Sequence, residues 1–126
     1  MAVSTPSFHY RPNGSCPYEE YVRKVFSSGR KKDAAKIRVY ADRLGEMGSQ
    51  RLVELEWAEK MNDVWQLRPG HHRIFYFWDS QGRTYVLLNG YEKKTRRTPA
   101  RELKRAETLR EEHQELGGND EPKAGR

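Results

Sequence analysis

Cysteine is almost missing from this sequence. Cys16 stands alone, so no disulfide can close within the chain, and a reducing compartment, the cytoplasm, is the expected setting. Long apolar runs are missing too. No stretch approaches the roughly 18 apolar residues of a membrane-spanning helix, and no charged segment followed by an apolar one opens the chain. The expectation is therefore a soluble protein with no membrane partner. There is no CxxC, no HxH and no carboxylate cluster, so no metal site is predicted; with no Gly-rich phosphate cradle, no cofactor is predicted either. Negative charge is the scarcer sign: 18 Asp+Glu face 24 Lys+Arg, a formal net charge of +6. An excess of cations favours a polyanionic partner, because each Lys or Arg that neutralises a phosphate releases a counterion. Hydrophobic residues make up only 35% of the 126, which allows one domain with a modest core.

What is present falls into recognisable elements. Phe8 to Arg11 reads as an edge strand, closed by Pro12-Asn13-Gly14-Ser15. Pro17 opens a first helix whose apolar residues Tyr18, Tyr21, Val22, Val25 and Phe26 recur at helical spacing, with Glu19 and Glu20 in its first turn. A second helix runs from about Lys31 to Met47 on the seam Ala34, Ile37, Ala41 and Leu44, with Gly48 placed to end it. Residues 49–63 read as an acidic connecting loop with a short helical turn. Residues 1–7 and 117–126 are polar or breaker-rich and predict flexible tails around one domain at 8–116.

The stretch from Val64 to Pro99 organises the rest. Val64–Arg68, His72–Trp78 and Thr84–Glu92 are three successive strands, separated by Pro69-Gly70 and Asp79-Ser80-Gln81-Gly82. Alternation along the second buries one set of Phe75, Tyr76, Phe77 and Trp78 against the first helices and leaves Tyr76 or Trp78 for the last helix. Lys93-Lys94-Thr95-Arg96-Arg97 follows at once as a cationic patch. Thr98-Pro99 then opens a third helix to about Gln114, with Ala100, Leu103, Ala106 and Leu109 on one side. The predicted order is β-α-α-β-β-β-α: an α+β fold, helices on one face of a curved, mostly antiparallel four-stranded sheet.

These motifs resemble a known family. CPYEEYV, RLGEMG, VWQLRPGHHRIFYFW and above all YVLLNGYEKKTRRTPARELKRAE are similar to the RelE/ParE toxin superfamily, in its HigB-like, phage-derived branch. The resemblance spans about Phe8 to Leu116 and implies a RelE-like fold. It implies a toxin of a type II toxin–antitoxin system, an mRNA-cleaving endoribonuclease acting at the translating ribosome and neutralised in complex with a cognate antitoxin. By motif, Arg68 matches the arginine ending one strand, Arg73 the arginine opening the next, and Lys93 and Lys94 the paired lysines. Gln66 and Tyr91 stand where the branch often has Glu and Phe, and Asn89 where His is common, which removes a proton-transfer group.

RNA cleavage without a metal requires deprotonation of a 2′-OH, stabilisation of charge on the phosphate, and protonation of the leaving 5′-oxygen. Arg68 and Arg73 suit the middle task, since a guanidinium grips phosphate in two places and stays charged. Lys93 and Lys94 alternate, so one of them faces the groove, where clustered cations lower its pKa and suit it to carrying a proton. Tyr91 shares the alternation of Lys93 and could stack on a base or present its hydroxyl. Lys60, His71, His72, Arg96 and Arg97 complete the expected RNA-binding set; His71 and His72, as neighbours on a strand, point opposite ways. Two other functions fit the sequence: a ParE-like toxin that binds gyrase and cleaves nothing, and a non-catalytic nucleic-acid-binding module.

Overall fold

The computed structural model describes residues 5–124, with side chains as far as 117. Its elements are β1 (Ser7–Phe8), α1 (Pro17–Ser27), α2 (Lys31–Met47), α3 (Ser49–Glu54), β2 (Ala58–Met61), β3 (Val64–Leu67), β4 (His72–Asp79), β5 (Thr84–Glu92) and α4 (Ala100–Ala124). The α+β class and the two N-terminal helices are as the sequence predicts. The sheet is mostly antiparallel as expected, but among the described residues it has five strands, not four, in the order β1-β5-β4-β3-β2, and it is mixed because β1 runs parallel to β5.

The missed strand is β2. The short helical turn expected in residues 49–63 is the helix α3, but the connecting loop expected after it is one arm of a hairpin. Met61 pairs with Val64 across the two-residue turn Asn62-Asp63, with Asn62 at φ 54°. Asn tolerates that left-handed backbone better than most residues, and two-residue hairpin turns favour it. The expected edge strand at Phe8–Arg11 shrinks to Ser7–Phe8, and α4 continues past Gln114 and the Gly117-Gly118 pair. The outermost residues of both expected tails, 1–4 and 125–126, lie outside the described residues.

Helices cover both faces of the sheet, a second correction. Leu67, Ile74, Tyr76 and Leu87 pack against Val22 and Val25 of α1, Ile37 and Leu44 of α2 and Leu52 of α3. On the opposite face Val64, Phe75, Phe77, Val86 and Leu88 pack against Ala106 and Leu109 of α4. Phe75 and Phe77, not Tyr76 or Trp78, therefore lie under the last helix. Tyr76 faces α3, where its hydroxyl shares a 2.7 Å hydrogen bond with that of Ser49, and Trp78 is 46% exposed. Among the described residues no helix is long and apolar enough to cross a membrane.

A β-bulge decides what the α4 face presents. Ile74 pairs with Gly90 and Tyr76 with Leu87, so Leu88 and Asn89 together stand opposite Phe75. The extra residue inverts the alternation of β5 beyond it. Before the bulge the even-numbered Val86 and Leu88 face α4; after it the odd-numbered Tyr91 does.

Candidate nucleic-acid groove

Because β3, β4 and the bulged end of β5 are in register, four predicted residues share one end of the α4 face. Arg68 follows β3, Arg73 is the second residue of β4 and pairs with Tyr91 on β5, and Lys93 leaves β5. Arg68, Arg73 and Lys93 line a groove of about 500 Å³ with Arg96, Arg97, Gln66, Glu59 and the α4 residue Leu103 among its walls. Five cations face one carboxylate there. Glu59 accepts a 3.2 Å hydrogen bond from Gln66 Nε2, and neither Arg68 nor Arg73 forms an ion pair among the described residues. The unpaired field suits a phosphodiester.

The cations are differently held. Arg73 is only 7% exposed, and its Nη1 donates to the carbonyls of Gly70 and His72, each at 2.8 Å, which locks the β3–β4 turn. Burial, and then the neighbouring Arg68 charge, pushes the Arg73 guanidinium below its ordinary value; a guanidinium starts so high that it stays charged. Arg68 is partly buried, and its side chain makes no hydrogen bond among the described residues. Lys93 has its backbone N–H on the His71 carbonyl at 2.6 Å and its ammonium on the Arg96 carbonyl, and Thr95 Oγ1 donates to the Arg97 carbonyl at 3.0 Å. These bonds curl residues 93–97 over the end of the sheet, which sets Arg96 and Arg97 on the groove rim.

Tyr91 stacks on Phe75 with ring centroids 5.8 Å apart and is 6% exposed. Its hydroxyl has no hydrogen-bond partner among the described residues, and Gln66 Oε1 and Asn89 Oδ1 share that condition. All three atoms belong to residues on the α4 side of the sheet. Burial pushes the Tyr91 phenol up, opposed first by the Thr98 side chain beside it and then by the Arg73 charge, so the hydroxyl is neutral and able to donate.

Other expected residues lie elsewhere. Lys94 points into a separate cleft between α1 and α4. Lys60 sits over the Trp65 ring, 5.4 Å from its centroid, on the other face of the sheet. His72 is buried on that face too: Nδ1 shares a 2.7 Å hydrogen bond with the Tyr21 hydroxyl and Nε2 a 2.9 Å bond with Asp33 Oδ2, so it ties α1 and α2 to the sheet. The Asp33 carboxyl is held below its usual range by that bond. His71 is exposed beside the turn, and what the structure uses is its carbonyl. Glu59 and Gln66 were not expected in the site. Once β2 is recognised as a strand, their cross-strand register places both there.

Residues 24–111, more than two thirds of the chain, match the family described as Phage derived protein Gp49-like (DUF891). That span takes in the whole groove. No curated protein matches the chain.

Proposed function

The chain belongs to the phage-derived Gp49-like family, which is associated with toxin–antitoxin systems, and from that premise we propose that it is the toxin of such a system, an endoribonuclease that cleaves mRNA. The observation that carries the reading is the convergence of Arg68, Arg73 and Lys93 on one groove, brought about by the β5 bulge. Motif and fold class together favour the HigB-like branch of the RelE/ParE superfamily.

In this reading the scissile phosphate lies against Arg68 and Arg73. The 2′-oxygen of the preceding ribose attacks phosphorus, the bond to the 5′-oxygen breaks, and the products are a 2′,3′-cyclic phosphate and a 5′-hydroxyl. Arg68 neutralises the charge that grows on the non-bridging oxygens, and Arg73, fixed by its two carbonyls, holds it in a preorganised site. One proton leaves the 2′-OH and one reaches the 5′-oxygen. Glu59 and Lys93 are the groove's titratable candidates for accepting and donating them. Arg96 and Arg97 grip flanking phosphates on the rim. The translating ribosome presents the mRNA, the setting is the cytoplasm, and an acidic segment of a cognate antitoxin covers the groove to silence it.

Inducible expression in bacteria, wild type against Arg68→Ala, with primer extension on an abundant mRNA, tests the reading. Growth arrest with discrete in-frame cuts that vanish in the variant is the expected result. Arrest with intact mRNA would sink the nuclease and direct attention to other targets.

A further inference from the structure

We infer that the cleft between α1 and α4 is a second backbone subsite for single-stranded RNA, continuous with the groove over residues 93–97. The inference rests on the nuclease reading and extends it. β1 is only two residues long and pairs with Val86 and Leu87, so among the described residues the far end of β5 has no strand beyond it. There α1 and α4 flank an open sheet edge and enclose about 540 Å³. Three elements send cations into this space: Lys24 from α1, Lys94 from the loop, and Arg101 and Arg105 from α4. Lys24, Lys94 and Arg105 form no ion pair among the described residues, whereas Arg30, also on the wall, is tied to Glu92 at 2.9 Å.

Two grooves of similar size thus flank one curl of chain. Lys93 serves the first and Lys94 the second, and the Cα atoms of such neighbours are about 3.8 Å apart. An extended ribose–phosphate chain leaving the Arg68–Arg73 groove crosses the Arg96-Arg97 rim and meets Lys94, Lys24 and Arg105 on the far side. The occupant that fits is a flexible polyanion long enough to cross the curl. A short one would reach only the first groove. An acidic protein segment is the competing occupant; the Glu20, Glu92 and Glu102 carboxylates on the walls oppose either polyanion alike, and continuity with the Arg68–Arg73 groove is what favours RNA.

The test is fluorescence anisotropy on the full chain with labelled 2′-O-methyl oligouridylates, which cannot be cut through the 2′-oxygen: a trinucleotide and a dodecamer, over a salt series. The double variant Lys24→Ala/Arg105→Ala changes two exposed side chains, so its fold is expected to be intact, as circular dichroism can verify. Its ratio of dodecamer to trinucleotide affinity should fall roughly tenfold, and its dodecamer salt slope by about 1.4, since each lost phosphate contact on a single strand removes about 0.7. An unchanged ratio, with Arg68→Ala still weakening both oligonucleotides, would overturn the second subsite and leave the nuclease groove standing. Failure of the wild type to bind either oligonucleotide would overturn the second subsite, while the nuclease reading would stand or fall on primer extension. Loss of poly-glutamate binding with RNA binding unchanged would assign the cleft to an acidic protein and overturn the RNA subsite.

Discussion

His9 and His113 face each other with their Nδ1 atoms 2.9 Å apart, and the bond joins the strand end of β1 to the distal half of α4. His9 is fully buried. Its Nε2 meets Glu112 Oε1 at 2.7 Å, Arg11 forks onto the same carboxylate at 3.2 Å, and His113 Nε2 faces Asp79 Oδ2 across 3.6 Å. Two neutral rings carry two protons, enough for the bond to Glu112 and the bond between the rings. A third proton serves Asp79. A fourth would make both Nδ1 atoms donors and break the 2.9 Å contact.

Acid should lower stability at this junction through His113, whose protonated form the fold disfavours even though Asp79 receives it. Burial, and then His9, holds the His113 imidazole below the ordinary histidine range, with Asp79 opposing. The unfolded chain takes up this proton first, so the pair's stabilisation is complete above about pH 6.5 and is lost as pH falls through the lower folded value. Urea unfolding across that window should show falling stability in the wild type. His113→Gln should cost about 1–3 kcal/mol at neutral pH and flatten the slope. An equally steep slope in the variant would rule out this pair as the sensor.

Arg73 and Arg68 should separate structure from chemistry. Arg73→Ala removes the donor for two turn carbonyls and is expected to cost about 1–3 kcal/mol, so lost activity in that variant has two explanations. Arg68→Ala touches a partly buried side chain with no hydrogen bond among the described residues and should stay within about 0.5 kcal/mol of wild type. Its cleavage rate should nonetheless fall about 10²–10³-fold if the guanidinium stabilises the phosphate. Thermal melts alongside single-turnover cleavage decide the matter; full activity in Arg68→Ala would remove it from the site.

Gly90 should not tolerate a methyl group. A Cβ there would lie 2.7 Å from both Ile74 Cδ1 and Tyr21 Cδ2. The Tyr21 ring cannot easily retreat, because its hydroxyl is anchored on His72. Overpacking of this kind costs about 1–3 kcal/mol. Pairing Gly90→Ala with Ile74→Val should recover part of the loss, visible as a coupling energy in a double-mutant cycle. Gly90→Ala melting with the wild type would refute the packing.

The helices of the N-terminal half were legible because Tyr18, Tyr21, Val22, Val25 and Phe26, then Ala34, Ile37, Ala41 and Leu44, repeat at helical spacing, and the structure buries all of them except Tyr21, which is half-buried, and Phe26, which is exposed. Arg68, Arg73 and Lys93 were legible as motif positions. Their meeting on one face was not, since strict alternation sets the odd-numbered Tyr91 and Lys93 opposite to Val86 and Leu88, and the Leu88–Asn89 bulge leaves no compositional mark. β2 was hidden by its charge: Glu59 and Lys60 are exposed edge-strand residues, and they read as loop. His72 misled in the other direction. A histidine beside an arginine in a basic stretch looks like part of an RNA site, yet its partners Tyr21 and Asp33 are 51 and 39 residues away in sequence.

Tyr91 offers the sharpest division between fold and function. A buried hydroxyl that makes no well-formed bond, although the Thr98 side chain lies beside it, costs stability, and a fold under selection for stability alone would favour Phe at this position. Tyr91→Phe should therefore leave stability unchanged or raise it, by up to about 1–3 kcal/mol. If the hydroxyl is kept to donate to RNA beside Arg73, the same variant should bind and cleave RNA less well, with loss and gain appearing together. Melting temperature and cleavage rate on one preparation measure both. A variant that is more stable and fully active would reduce Tyr91 to a core residue. One that is less stable would mean that the hydroxyl is bonded within the fold, and the case for its meeting RNA would go with it.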